Sequence, residues 1–288
     1  MRYDLSMSDK NIIDLHCHTS CSDGSLSTCQ LLELAAKNNI YALSITDHDT
    51  IGAYKEAFDL ASKLSIKIIP GIEFSAHHDD TSIHVLAYSF CLESPDLAAF
   101  CQKHQARRGE RNLIIIDKLR KNGMPVEEVD LQIHENLPPL CIGRPHIAQA
   151  MVKRGYVSSI SEAFNCFIGE GLSCYHPGVR FSVEETLDVI KKANGLSVIA
   201  HPHLIHDFKV EESLLQMPFD GIEVYYARFN QSQNLKWLNA AKKRGLMITG
   251  GSDFHGFAKP HIHLGCASAP EDTFNFLKEH YDQQRILR

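Results

Sequence analysis

Residues 12–25 read IIDLHCHTSCSDGS. A short apolar stretch ends in two histidines one residue apart, His16 and His18, and Asp23 follows five residues later. Strand alternation sends both imidazoles to one side and Cys17 to the other, where it packs as core. A soluble chain gains no packing from imidazoles at a strand end, whereas imidazole is the commonest metal ligand in proteins. The His-x-His pair alone is a weak motif. Its meaning depends on what stands at the ends of the other strands.

Outward from this stretch, strand-like and helix-like segments alternate. Ser27-x-x-Gln30 forms a capping box that opens a helix through LLELAAKNN. IYALSIT reads as a buried strand, AYKEAFDLASKL as a helix and IKIIPGIEFSA as a strand. IHVLAYSF follows as a strand after the acidic turn HHDD. LSVIAHP, GIEVYY and LMITGGSD come later, separated by helical patterns at residues 183–193 and 230–244. Repeated βα units imply a parallel sheet or barrel. Residues 95–174 break the rhythm: they are mostly helical, lack convincing strands and read as an insertion that caps a site. The expected organisation is a discontinuous barrel over residues 10–94 and 175–270, the helical cap over 95–174, and a C-terminal helix over 271–288 packed on the barrel.

The polar residues fall at the strand ends. These carry His16 and His18, then Thr46-Asp47-His48-Asp49, Gly71-Ile72-Glu73, His201-Pro202-His203, Gly221-Ile222-Glu223 and Gly250-Gly251-Ser252-Asp253-Phe254-His255. In barrels of parallel strands, catalytic groups gather at the carboxyl ends, so segments spread over the whole chain converge on one rim. Nitrogen and oxygen donors without a thiolate set suit Mn, Fe, Zn or Mg rather than a soft metal. The donors are too many for one ion, and two or three divalent ions use them more economically. Such a site activates water and supports in-line displacement at phosphorus.

Six motifs, DLHCHTSCSDG, TDHD, GIEFS, an isolated histidine before VLAY, IAHP and GSDFHG, occur in one order over residues 12–256. Together they resemble the PHP (polymerase and histidinol phosphatase) superfamily of phosphoesterases. The resemblance is strongest to its 3',5'-nucleoside bisphosphate phosphatases and its 5'-to-3' exoribonucleases acting on short RNA. It implies an α/β fold, a distorted (β/α)7 barrel with a helical insertion, and a trinuclear site. By motif position, His16, His18, Glu73 and Asp253 hold one metal. Glu73 bridges to a second, completed by His84 and His201, and Asp23, His48 and His255 hold the third. Asp23, which precedes Gly24 and so also reads as a turn residue, stands where some members have histidine. GRPH at residues 143–146 resembles the nucleotide-acting branch. Arg144 would clamp a phosphate with its planar fork, and His146 would bind or protonate a phosphoryl oxygen. His201 or His203 would protonate the leaving alkoxide, and His203 would also reach substrate. The chain departs from its relatives at Leu172, where a lysine is usual; His176 or Arg180 could replace it.

The expected activity is hydrolysis of phosphate esters of nucleotides by metal-activated hydroxide, with Mn²⁺ the foremost ion. The substrates would be 3',5'-nucleoside bisphosphates or the 5' ends of short oligoribonucleotides. Histidinol-phosphate phosphatase is the alternative within the superfamily, against which GRPH speaks. A non-catalytic metal-bound module is the alternative outside catalysis, against which nine filled ligand positions speak. Metal-dependent amide hydrolysis or deamination would leave Arg144 without a role.

Several residues stand beside these. Asp47 and Asp49 flank His48 and are expected to orient a histidine. Glu223 reads either as a satisfied strand-end group or as an orienting residue. Arg107, Arg108 and Arg111 cluster on a predicted helix, as a solvated face or a basic approach for phosphates. His77, His78, His206, His261 and His263 read as solvated loop histidines.

Composition narrows the classes. The chain has 288 residues, 44% hydrophobic, with 17 histidines and a formal net charge of −6. That is globular material with enough apolar mass for a core. The acidic excess argues against a surface that wraps nucleic acid, but not against a short oligonucleotide held by a few residues. Nine cysteines without a CxxC pair exclude zinc-ribbon and thioredoxin-type sites and fit reduced thiols in the cytoplasm. The first residues show no signal-peptide core, and no apolar run approaches a membrane span. The expected partner is a small phosphorylated nucleotide or short single strand, with no membrane and no obligate protein partner.

Overall fold

The computed structural model describes residues 11–131 and 141–286. Residue 10, residues 132–140 and residues 287–288, which the expected boundaries include, lie outside the described residues, as do the first residues read for a signal peptide. β1 (Ile12–Cys17) leads through α1 (Thr28–Lys37) to β2 (Ile40–Ile45), parallel to it. α1 begins at the capping box: Ser27 Oγ accepts from Gln30 N, and the Gln30 side chain accepts from Ser27 N. Its Leu31, Leu32 and Ala35 are buried with Leu43 and Ile45. Burying each leucine or isoleucine side chain contributes about 1.5–3 kcal/mol. After α2 (Ala57–Lys63), the two-residue β3 (Lys67–Ile68) completes a sheet of order β1-β2-β3.

IKIIPGIEFSA is two strands and not one. Pro70, which has no N–H to donate, separates β3 from β4 (Gly71–His78). β4 turns at Asp79 and Asp80, both with positive φ (45° and 61°), into β5 (Thr81–Tyr88). A two-residue turn makes a hairpin, whereas a parallel return needs a crossover of a dozen residues or more. The purely parallel arrangement expected from the βα rhythm is therefore corrected. β4–β5 and β5–β6 are antiparallel, while β6 (Leu196–Ile199), β7 (Gly221–Tyr226) and β8 (Met247–Gly251) run parallel in a second sheet of order β4-β5-β6-β7-β8. The chain is a mixed α/β structure.

Isolated bridges link the sheets at both edges, Cys17 to Phe254 and His48 to Glu73. At the first seam a Cβ on Gly251 would come within 2.4 Å of His16 N, so only glycine admits that approach. Ile13, Leu15, Leu86, Tyr88 and Val198, from strands of both sheets, form one buried cluster with Phe274 and Leu277. The last two belong to α9 (Glu271–Ile286).

Among the described residues, 95–174 contain helices and no strand: α3 (Pro95–Lys121), α4 (Arg144–Lys153) and α5 (Ile160–Ala163), with a π-helical stretch at Phe164–Ile168. Ile115, Ile116, Leu119, Ile147, Met151 and Ile168 form a core drawn from this segment. The chain re-enters the second sheet through α6 (Val183–Lys192). α7 (Phe208–Leu214) and α8 (Gln231–Arg244) join the later strands.

Candidate metal centre

Glu73 stands at the middle of a buried cluster. It is the third residue of β4, and not a strand end, because β4 runs on to His78 before the hairpin returns His84 opposite Ser75. Glu73 Oε2 lies 3.2 Å from His16 Nε2, 3.1 Å from His18 Nε2 and 3.3 Å from His48 Nδ1. Its Oε1 lies 2.8 Å from His84 Nδ1 and 2.9 Å from His201 Nε2. Asp253 Oδ1 faces two of these histidines and a further one, 3.5 Å from His16 Nε2, 3.3 Å from His18 Nε2 and 3.4 Å from His255 Nδ1. The Asp23 carboxylate lies 3.3 Å from His255 Nε2 and 3.8 Å from both His18 Nδ1 and His48 Nε2.

The nine residues proposed from the sequence as ligands thus meet in one place. Their donor atoms fall into three groups, each within 4.8 Å: His16, His18, Glu73 and Asp253; His48, Glu73 and His84; His18, Asp23, His48 and His255. The third group gains His18 relative to the expected set, and the middle group gains His48 and lacks His201. His201 Nε2 adjoins that group at 3.2 Å from His84 Nδ1.

Local backbone strain accompanies these positions. His201 has φ 27° and Asp253 φ 55°. Left-handed non-glycine residues cost about 1–3 kcal/mol each and persist where surrounding contacts hold them. Asp253 N donates to His16 O at 2.7 Å. Its Oδ2 accepts from Tyr226 OH at 2.7 Å and Lys259 Nζ at 2.6 Å, which leaves Oδ1 to the histidines. Glu223, fully buried, accepts from His16 Nδ1 at 2.8 Å and from His201 N at 2.7 Å. The contacts of Tyr226, Lys259 and Glu223 escaped the sequence reading. The GIEVYY strand shows a glutamate, but not that its partners sit 207 and 22 residues away.

The donors fit divalent cations. His16 Nε2, both nitrogens of His18, His48 Nδ1 and Glu73 Oε2 are buried and make no hydrogen bond. An unsatisfied buried polar group costs about 1–3 kcal/mol, and five within one donor cluster are best accounted for by cations among them. Burial would raise the Asp23 carboxyl, but His255 and His48 hold it well below its ordinary value. It is a carboxylate, as ligation requires.

A cavity of about 180 Å³ opens beside the cluster. Asp23, His48 and His84 line one part; Arg107, Arg108, Arg111, Arg144 and Arg180 line another. The Arg144 guanidinium lies 5.7 Å from the Phe164 ring centre and 5.3 Å from that of Tyr175. Burial and the neighbouring charges of Arg108, Arg144 and Arg107 push Arg111 down to about 9. Positive charge is crowded there beyond what the local acids offset. His176 and Arg180 both line this cavity, while Leu172 does not.

Other expectations are corrected. The Asp47 and Asp49 carboxylates bond to residues other than His48. Asp47 accepts from Thr19 N, Thr19 Oγ1 and Ser22 Oγ, so it braces the loop that carries Asp23. Asp49, turned by a positive φ of 53°, points to α3, where it meets His104 Nδ1 at 2.9 Å and Arg108 Nε at 2.7 Å. Arg108 is accordingly buried, not a solvated face. His146 is buried and does not line the cavity; its Nδ1 accepts from Gly143 N at 3.0 Å and caps α4. His203 Nε2 is paired with Asn234 Oδ1 at 3.0 Å and its ring stacks on Phe229. Burial lowers it to about 4, so the ring is neutral near pH 7 and not poised to donate a proton. His77 and His78 lie in β4, bonded to Phe181 O and Ser213 Oγ. His206, His261 and His263 are exposed as expected.

A profile of the PHP domain matches residues 14–281. The chain belongs to the PHP domain family. This PHP protein is 32% identical over 266 residues, 88% of its length and 92% of the relative's, to a 5'-3' exoribonuclease of Haemophilus influenzae. It is 29% identical over 255 residues, 84% of its length and 87% of the relative's, to a 3',5'-nucleoside bisphosphate phosphatase of Chromobacterium violaceum. Its structure is similar, with a TM-score of 0.86 and 28% identity, to a protein of Bifidobacterium adolescentis assigned as a metal-dependent phosphoesterase. That likeness covers 94% of this chain and 97% of the other.

Proposed function

We propose that this PHP protein is a metal-dependent phosphoesterase that hydrolyses phosphate esters of nucleotides, either 3',5'-nucleoside bisphosphates or the 5' ends of short oligoribonucleotides. The observation that carries this reading is the adjacency of the Glu73-centred donor cluster to a cavity lined by five arginines. The activities of the exoribonuclease and bisphosphatase relatives support it.

His16, His18, Glu73 and Asp253 would hold one ion, Glu73 with His84, His48 and His201 a second, and Asp23 with His18, His48 and His255 a third. Mn²⁺ is the first ion to supply, and Fe, Zn or Mg also accept nitrogen and oxygen donors. When bound, such ions would neutralise phosphoryl charge and lower the pKa of water so that hydroxide is available near neutral pH. The chain's own residues do the rest. Arg144, held between two aromatic faces, presents its fork to non-bridging oxygens. An anion beside Arg111 relieves the repulsion among the guanidiniums, so phosphate binding is favoured there. Arg180 and His176 take the place of the lysine that Leu172 displaces. His201 is assigned to ion binding, and His146 and His203 to support of the loops around the site.

The seven strands β2-β4-β5-β6-β7-β8-β1 are read as a distorted barrel, with residues 95–174 as its cap; the bridges at both seams support this. All nine cysteines are unpaired, as suits a reducing cytoplasm. No helix among the described residues is long and apolar enough to cross a membrane. The partner is read as a small nucleotide or short single strand, with no obligate protein partner.

The test is product analysis with Mn²⁺-loaded protein on 3'-phosphoadenosine 5'-phosphate, a 5'-phosphorylated RNA pentamer and histidinol phosphate. Phosphate from the bisphosphate alone identifies a small-nucleotide phosphatase. Stepwise mononucleotides from the pentamer identify an exoribonuclease. Turnover of histidinol phosphate alone overturns the nucleotide reading.

A further inference from the structure

We infer that Glu223 is a positioning residue that ties two ion sites together, holding His16 by its ring and His201 by its backbone on either side of Glu73. The inference rests on the metal-centre reading above. Glu223 is fully buried on β7, and each of its oxygens has one partner from the donor cluster. The His16 Nδ1–H donates to Oε1 at 2.8 Å, which sets the tautomer. His16 Nε2 is then the free lone pair, and it faces Glu73 Oε2 and Asp253 Oδ1 without a hydrogen-bond partner. A carboxylate behind a ligating imidazole fixes ring orientation and raises ligand basicity.

The other oxygen acts on a different element. His201 N donates to Oε2 at 2.7 Å, in a residue with φ 27° and ψ 57°. That conformation is unfavourable for a side chain larger than glycine, and it places His201 Nε2 2.9 Å from Glu73 Oε1. The two imidazoles face each other at 5.7 Å between ring centres, 24° from parallel. One buried carboxylate therefore sets the spacing of ligands on opposite oxygens of Glu73. Only a carboxylate can do so, because both partners are donors. A glutamine would offer one acceptor oxygen and turn its amide N–H groups toward the other donor.

The experiment compares the full chain with Glu223→Gln. Mn²⁺ binding is followed by calorimetry, ion content by elemental analysis, and melting temperature with and without Mn²⁺. The expected result is Mn²⁺ affinity weakened about 10–100-fold at two of the sites, with a smaller ion-induced rise in melting temperature. Affinities and increments equal to the wild type would overturn the inference. A wild-type chain that binds no ion would instead overturn the metal-centre reading itself. Histidine ¹⁵N NMR of the unaltered Zn²⁺-loaded protein decides the matter should the variant fail to fold. His16 protonated at Nδ1 is expected, and His16 protonated at Nε2 would overturn the proposal.

Discussion

At the scale of single residues, two side chains are the sharpest tests. Glu73 offers one oxygen to His16, His18 and His48 and the other to His84 and His201. Glu73→Gln keeps the volume but replaces one of those oxygens with a donor. We expect kcat/KM to fall on the order of 100-fold or more and bound Mn²⁺ to fall with it, read by steady-state kinetics and elemental analysis. Arg144 differs from a generic cation because it is planar and lies near two rings. Arg144→Lys keeps the charge and loses the fork and the stacking. An expected tenfold loss in kcat/KM, about 1.4 kcal/mol, should come with an unchanged melting temperature. Unaltered kinetics would remove Arg144 from the phosphate site.

At the scale of elements, α3 is fastened to the rim that carries the donor cluster by ionic contacts. Asp49 follows His48 directly, accepts from Arg108 of α3 and from Ser75 N of β4, and lies 2.9 Å from His104 Nδ1 of α3. Removing one partner of such a buried pair strands the other, so Arg108→Ala should cost about 3–5 kcal/mol in chemical denaturation. Burial would raise the Asp49 carboxyl, yet His104 and Arg108 hold it well below its ordinary value. A carboxyl depressed in the folded state contributes stability above its unfolded value, near ~3.9. That stability is lost as the pH falls toward the folded value. Asp49→Asn should therefore be less stable than the wild type at pH 7 and converge on it below about pH 4. A stability gap that does not narrow with acid would show that the pair contributes little.

At the scale of the whole molecule, ions and fold are linked. The unpartnered histidine nitrogens and Glu73 Oε2 come from distant parts of the chain and meet only when it is folded. Ions that bind the folded state alone add about 2.7 kcal/mol per site at a hundredfold excess over Kd. Chelation should abolish turnover and lower the melting temperature, and Mn²⁺ should restore both; full activity after exhaustive chelation would sink the metal mechanism. The chain carries a net charge of −6 while its cavity is crowded with guanidiniums, so attraction for phosphates is local. Added salt should raise KM for an oligonucleotide more than it alters kcat.

The sequence by itself determined which residues bring nitrogen and oxygen donors to the strand ends. His16, His18, His48, Glu73, His201, Asp253 and His255 stand beside apolar runs whose periodicity is local, so a common rim is legible without coordinates, whereas Asp23 rests on the family resemblance. His84 was less legible, because the β4–β5 hairpin carries it within a strand, and Glu73, read as a strand end, also proves to lie inside β4. Only the tertiary structure decided that His48 shares Glu73 with His84, that Glu223 and Lys259 back the ligands, and that Asp49 serves α3 and not His48. It also tied one ring nitrogen of His146 to Gly143 N and one of His203 to Asn234 Oδ1, contacts that the sequence did not show. The reason is physical. Spacing along a chain encodes strand period, turns and caps, but a contact such as His16 with Glu223 depends on how strands far apart in sequence are brought into register.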